Sequence, residues 1–318
     1  MSVTPTQLNE AGGAAAPLSR PDDAPPKTSL AGPRDYLALL KPRVMSLSIF
    51  TALAGMVAAP GAIDSWGLAL FSLLAIALGA GASGALNMWY DADIDALMTR
   101  TKNRPIPAGK VPRNEALIFG GVLGLLAVWL LALTSNYLAA GLLAATILFY
   151  VIIYSMGLKR ATPQNIVIGG AAGALPPVVG WAAVTGTAPI EAWLLFAIIF
   201  MWTPPHFWAL ALVKSADYDA AGIPMMPNVK GAEHTRQLIW VYSLLLIPVA
   251  ISPFAFDVAG WLYLIVAGVG GVIFLRAASK VWREGSDKAA WSLFGISIFY
   301  LFGLFLALLI EHWGGMHG

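Results

Sequence analysis

Residues 66–95 read WGLALFSLLAIALGAGASGALNMWYDADID, an uncharged run of 25 residues closed by three acids. At about 1.5 Å per residue, such a run forms a helix long enough to cross the ~30 Å hydrocarbon core of a bilayer. Eight further apolar stretches do the same, and the spans read 44–60, 66–90, 114–134, 137–156, 163–183, 189–213, 237–255, 258–277 and 290–311. The composition agrees: 58% of the 318 residues are hydrophobic and 11% charged, with mean hydropathy +0.73, which excludes a soluble fold. The fold class is therefore an all-α polytopic membrane protein with nine transmembrane helices in one domain, 34–318. Residues 1–33, rich in Pro, Ala and Gly and without an apolar core for a signal peptide, read as a disordered tail. The tail is not Arg-rich and carries Glu10, Asp22 and Asp23, unlike a mitochondrial presequence, so a bacterial inner membrane is expected.

Charge sets the orientation. With nine crossings, all 19 Lys and Arg fall on one side, counting Arg276 at the end of its span; the opposite side carries only Asp64, Glu191, Asp257 and Glu311. The positive-inside rule then places the N-terminus and the basic loops in the cytoplasm. Trp66, Tyr137, Trp193, Trp261 and Trp313 read as interfacial anchors at the other ends. A formal charge of +2 is too balanced for a nucleic-acid partner, and the absence of cysteine excludes disulfides, Cys-ligated metals and a Cys nucleophile. Two long cytoplasmic loops, 91–113 and 214–236, lie four spans apart, a spacing that suggests an internal repeat.

The chemistry gathers where the second span meets its loop. Asn87, Asp91 and Asp95 recur at i, i+4 and i+8 and so share one helical face, within about 80°, while Asp93 points away. Oxygen donors of this kind suit a hard cation, Mg²⁺ above all, which takes its remaining ligands from water and substrate phosphates. The three side chains spread over about 12 Å of helix rise, which favours a metal shared with a bound diphosphate over a closed protein cage. The loop that follows, Arg100-Thr-Lys102-Asn-Arg104-Pro-Ile-Pro-Ala-Gly-Lys110, supplies cations for phosphate oxygens, Lys102 and Arg104 before Lys110 and Arg113. Lys159 and Arg160, after the fourth span, can close the same basin. The plainer alternative is a solvated helix end followed by topogenic charge. His206 lies about 12 Å inside the cytoplasmic boundary, after a Pro204-Pro205 break, where a histidine is costly without a partner. It either touches a substrate metal or hydrogen-bonds the carbonyls that the prolines free. His234, beside Glu233 in a cytoplasmic loop, reads as a surface residue, and His312 and His317, after the last span, read as incidental.

These motifs resemble the UbiA-type intramembrane prenyltransferases. The supporting residues are Lys41-Pro-Arg43-Val, Asn87-x-x-x-Asp91-x-x-x-Asp95, Arg100-Thr-x-x-Arg104-Pro, Thr203-Pro-Pro-His206-Phe-Trp and Asp217-Tyr-Asp219-x-Ala-Gly-Ile-Pro-Met-Met-Pro. The last two are similar to the members of the superfamily that farnesylate haem. The resemblance implies helices around a membrane-facing cavity and transfer of farnesyl from farnesyl diphosphate to a vinyl group of haem B, with water added and Mg²⁺ as cofactor. It makes Asn87, Asp91, Asp95 and Arg104 catalytic, the first three as metal ligands. It assigns substrate binding to Arg43, Arg100, Lys102, Lys159, Arg160, His206, Asp217 and Asp219. Haem A synthase or oxidase assembly factors are its implied partners, besides the lipid bilayer. The superfamily's second motif is Asp-x-x-x-Asp, whereas Asp217 and Asp219 here are two apart and follow Lys214. Competing readings are a relative prenylating an aromatic ring such as 4-hydroxybenzoate, an ion-coupled transporter, and a non-catalytic haem-handling factor. A transporter calls for acids near the midplane, and these acids lie at one face.

Overall fold

A computed structural model describes residues 31–61, 63 and 65–313. The expected tail through residue 30, Asp64 and His317 lie outside them. The described residues form helices and no strands: α1 (Pro33–Leu39), α2 (Pro42–Ala58), α3 (Trp66–Tyr90), α4 (Ala92–Leu97), α5 (Arg113–Thr134), α6 (Tyr137–Leu148) running into a π-helix (Phe149–Leu158), α7 (Asn165–Ala174), α8 (Pro176–Thr185), α9 (Ile190–Val213), α10 (Ser215–Ala220), α11 (Met226–Lys230), α12 (Ala232–Ala255), α13 (Trp261–Glu284) and α14 (Asp287–Trp313).

Eight segments are long and apolar enough to cross a bilayer: α3, α5, α6 with its π-helix, α7 with α8, α9, α12, α13 and α14. The expected ninth, α2, has 17 residues and its apolar part is only Met45–Ala58, so the count of nine is not reached by length and composition. The helices also outrun the apolar stretches. α13 continues from 277 to Glu284 through Lys280 and Arg283 and stops where Gly285 adopts φ 62°, a left-handed cap that glycine takes without Cβ strain. Pro204 and Pro205 do not break α9, which runs unbroken through them. The neighbouring helices α7, α12 and α14 pack against this stretch and carry it past the missing donors.

From α2 onward each long helix packs on the next long helix in sequence, and α14 returns to α2, closing a ring that α2–α8 and α9–α14 contacts cross. The α2–α8 approach is close because it lacks side chains: a Cβ on Gly55 would sit 2.1 Å from the Pro177 carbonyl oxygen, and one on Gly180 2.1 Å from that of Ala52. The ends agree with an alternating topology. The Trp66 and Trp313 rings lie 5.1 Å apart, joining the start of α3 to the end of α14. Glu311, near that end, is buried and accepts hydrogen bonds from the Gly260 and Tyr263 amides, capping α13. At the other face, Lys110 pairs with Asp35 at 3.3 Å, and the Tyr36 hydroxyl donates to Glu115 at 2.6 Å.

Candidate active site

Asp91 is a hinge in dihedral terms only. Its φ −87° and ψ 8° separate α3 from α4, yet its amide still donates to the Asn87 carbonyl at 2.9 Å and its carbonyl accepts from Asp95 at 2.8 Å. The i, i+4, i+8 face therefore survives: Asn87, Asp91 and Asp95 are all buried, and Asp93 is exposed.

Each acid has its own cation. Asp91 Oδ2 is paired with the Lys159 ammonium, and Arg160 lies 3.7 Å from Oδ1. Arg104 donates to Asp95 Oδ2 at 2.6 Å, and Thr101, also buried, anchors the turn by donating to the Asp95 carbonyl at 2.8 Å. Arg160 grips Asp93 with both terminal nitrogens, at 2.7 and 2.8 Å, while lying over the Tyr90 ring. That grip holds the Asp93 carboxyl down to about 2. The Asn87 amide is the joint of the network. Its nitrogen donates to Asp91 Oδ2 at 2.7 Å and to Ser155 Oγ at 3.0 Å, and its oxygen accepts from Lys41 at 2.8 Å.

Two of these residues reach the site by unusual backbone. Lys41 caps α2 at φ 54°, a left-handed conformation that costs a side-chain-bearing residue energy, and Pro42 at N1 begins the helix. Burial, with Arg104 and Lys159 close by, pulls its ammonium down to about 7 against the opposing Asp95 and Asp91. Ser155 lies in the π-helix and donates to the carbonyl of Tyr150, five residues back. Widening the helix by one residue per turn carries Ser155 to Asn87 and leaves Lys159, just past its end, facing Asp91. Buried Asn165 then ties this segment to the second long loop: its amide donates to the carbonyls of Lys159, Thr162 and Pro224 at 3.3, 2.8 and 3.4 Å.

The structure thus gathers Asn87, Asp91, Asp95, Arg104, Lys159 and Arg160. Arg43, Arg100 and Lys102 are exposed and pair with no acid among the described residues. Arg113 donates to the Trp89 and Tyr90 carbonyls and so caps α3. Asp217 and Asp219 lie on α10, which follows α9 after the single residue Lys214 as α4 follows α3 after Asp91. The local geometry repeats, but a cation stands where the first copy has its buried acid. His206 is buried on α9. Its Nδ1 meets Ser297 Oγ of α14 at 2.6 Å, so its partner is a hydroxyl and not a carbonyl freed by the prolines. Ser155, Asn165 and Ser297 stand in no motif of the sequence, and Lys41 stands in the Lys41-Pro-Arg43-Val motif without a site role. For Lys41 a signal existed, since Pro42 marks the helix start and makes Lys41 its cap.

The donor set fits a hard cation in one respect. Asp91 Oδ1 is buried and accepts no hydrogen bond, an acceptor held open. Among the described residues no three His, Cys, Asp or Glu side chains group closely enough to hold a metal by themselves, an arrangement that suits an ion taking further oxygens from water or a second molecule. Chemically the site offers carboxylate and amide oxygens inside a crown of Lys41, Lys159, Arg104 and Arg160, which suits a metal-bound polyanion.

A family model described as the UbiA prenyltransferase family matches residues 48–309. A protein named protoheme IX farnesyltransferase, from Methylorubrum populi, is 62% identical over 287 residues, covering 89% of this chain and 90% of its own. Among solved structures, a digeranylgeranylglyceryl phosphate synthase is similar with a TM-score of 0.73 at 18% identity, covering 88% of this chain and 98% of its own. A UbiA homolog from Archaeoglobus fulgidus bound to DMAPP and Mg²⁺ is similar with a TM-score of 0.67 at 18% identity, over 86% and 99%.

Proposed function

Because the chain belongs to the UbiA prenyltransferase family, we propose that this multi-pass membrane protein transfers the farnesyl group of farnesyl diphosphate to a vinyl group of haem B, giving haem O. The observation that carries the reading is the pair of buried acids, Asp91 and Asp95, set among Lys41, Arg104, Lys159 and Arg160 at the end of α3. The acceptor is taken from the relative named protoheme IX farnesyltransferase, which aligns over nine-tenths of both chains. Asp91 and Asp95, with Asn87 once Lys41 releases its oxygen, would hold Mg²⁺. When bound, that ion supplies positive charge to the departing diphosphate. The metal-bound structural neighbour supports this assignment.

The chain's own residues do the rest. Arg104, Lys159 and Arg160 exchange their carboxylate partners, and Lys41 its Asn87 amide oxygen, for diphosphate oxygens and stabilise the charge that develops there as the allylic C–O bond breaks. The vinyl carbon attacks the farnesyl cation, a C–C bond forms, and the positive charge moves next to the pyrrole. Water adds there, and its second proton leaves to solvent or diphosphate, so no strong protein base is required. His206 contacts the haem. The basic loops face the cytoplasm of a bacterial inner membrane.

Mass spectrometry of haem extracted from cells with and without this chain tests the proposal. Appearance of the hydroxyethylfarnesyl haem only with the chain is expected. Unchanged haem, with a prenylated 4-hydroxybenzoate formed instead by the purified protein, would overturn the acceptor.

A further inference from the structure

His206 is held more tightly than a buried hydrogen bond requires. Its ring is stacked between Trp202, 4.1 Å away and 18° from parallel, and Phe294, 4.5 Å away and 21° from parallel. The sandwich prevents the imidazole from flipping. Trp202, one turn earlier on α9, donates through Nε1 to the Ser297 carbonyl at 2.7 Å, so both residues clasp the same position of α14.

The tautomer follows from proton counting. Ser297 Oγ lies 2.6 Å from the Phe294 carbonyl oxygen and 2.6 Å from His206 Nδ1. Two oxygens at 2.6 Å need a proton between them, and a carbonyl has none to give, so the serine hydroxyl donates to Phe294. It has no second proton for the histidine. Nδ1 must therefore carry hydrogen and donate to Oγ, which leaves Nε2 with its lone pair. Nε2 takes no hydrogen bond, and it is not among the sealed, unpartnered polar atoms of the described residues, which are Asp91 Oδ1, Trp181 Nε1, Trp208 Nε1 and Arg236 Nε. The lone pair is therefore unpartnered and not fully sealed.

We infer that His206 presents Nε2 as an axial ligand to the iron of the haem acceptor, and that Ser297 is the positioning residue that fixes the ligating tautomer. The inference rests on the haem reading above and adds to it. A neutral imidazole whose other nitrogen donates to a hydrogen-bond acceptor is the usual form of a histidine metal ligand. A stacked, non-rotating ring would hold the porphyrin by its centre while the vinyl edge is aligned with the farnesyl donor.

The test uses the full chain in lipid nanodiscs. In ¹⁵N-histidine NMR of the ligand-free protein, His206 is expected as the Nδ1–H tautomer; an Nε2–H signal overturns the assignment with no variant needed. Iron protoporphyrin IX is then compared with metal-free protoporphyrin IX. Wild-type protein is expected to bind the iron form about tenfold tighter or more, a preference that His206→Ala abolishes while leaving metal-free affinity unchanged. In Ser297→Ala, the iron–imidazole Raman stretch of the ferrous complex is expected to fall and iron-porphyrin affinity to drop roughly tenfold, the usual scale for losing a partner behind a ligand. Equal binding of the two porphyrins by wild type overturns the ligation. If the same preparation makes no haem O, the transfer reading falls. If it makes haem O while binding both porphyrins alike, only the present inference falls.

Discussion

Replacing Lys159 by Met should destabilise the protein far more than replacing its partner Asp91 by Asn. Asp91 is fully buried, and its side chain has three neighbours: the Lys159 ammonium, the Asn87 amide at 2.7 Å and Arg160 at 3.7 Å. Removing Lys159 leaves a buried carboxylate with one neutral donor and a cation already committed to Asp93. Losing one partner of a buried pair costs about 3–5 kcal/mol, and the remaining Arg160 places this case near 3. Asp91→Asn, by contrast, leaves Lys159, which is partly exposed at 16% and can turn to water. Its cost is about 1 kcal/mol, that of an ordinary hydrogen bond. The double variant should therefore be more stable than Lys159→Met alone, by about 2 kcal/mol, although it carries one more substitution. Unfolding in a titration of SDS into mixed micelles, followed by the fluorescence of the 12 tryptophans, measures all four proteins. A Lys159→Met protein as stable as wild type, or a double variant no better than it, would refute the argument that Asp91 depends on this cation.

Asp91→Asn and Asp95→Asn should each lower prenyl transfer by at least about a hundredfold while leaving the protein inserted, since they remove charge at the diphosphate; product formation in nanodiscs with excess Mg²⁺ reads this, and activity within a few-fold of wild type would reduce the acids to a solvated helix end. Gly180→Ala should lower the SDS midpoint by the equivalent of about 1–3 kcal/mol, because its Cβ would meet the Ala52 carbonyl at 2.1 Å. Gly141→Ala in α6, whose Cβ meets nothing within 4 Å, should raise it by about 0.5–1. A single cysteine at Lys102 or Asp219, in this cysteine-free chain, should escape a membrane-impermeant thiol reagent applied from outside. Labelling of either would reverse the orientation.

What could be read ahead of the structure was whatever follows from period and length. The face shared by Asn87, Asp91 and Asp95 is a property of 3.6 residues per turn, and it survives the dihedral hinge at Asp91 because both flanking hydrogen bonds persist. Helix ends were less legible. Hydropathy stops at the last apolar residue, whereas α13 continues while its backbone bonds can be made and stops at Gly285. The assumption that Pro204-Pro205 breaks α9 failed for a related reason. A proline pair removes donors, but flanking helices can hold the axis in place.

Partners were the hardest to foresee, because each lies far along the chain and is chosen by packing. Local spacing proposes Arg104 for Asp95, nine residues on. The basic end of the fourth span puts Lys159 in the same basin, but nothing local pairs it with Asp91 at a separation of 68, or proposes Lys41 for Asn87 at 46 or Ser297 for His206 at 91. These long-range choices also decide the chemistry. Asn87 alone reads as a metal ligand, yet with its oxygen given to Lys41 it becomes a ligand only after that lysine moves to a phosphate. The cation must therefore leave before the amide can bind metal, so donor and metal binding are coupled at this residue. Lys41→Met would release the Asn87 oxygen permanently. Mg²⁺ should then bind more readily in the absence of farnesyl diphosphate, while the diphosphate itself binds more weakly. Isothermal titration of each component alone measures both effects, and weaker Mg²⁺ binding by Lys41→Met would show that the lysine orients the amide for the metal instead of competing with it.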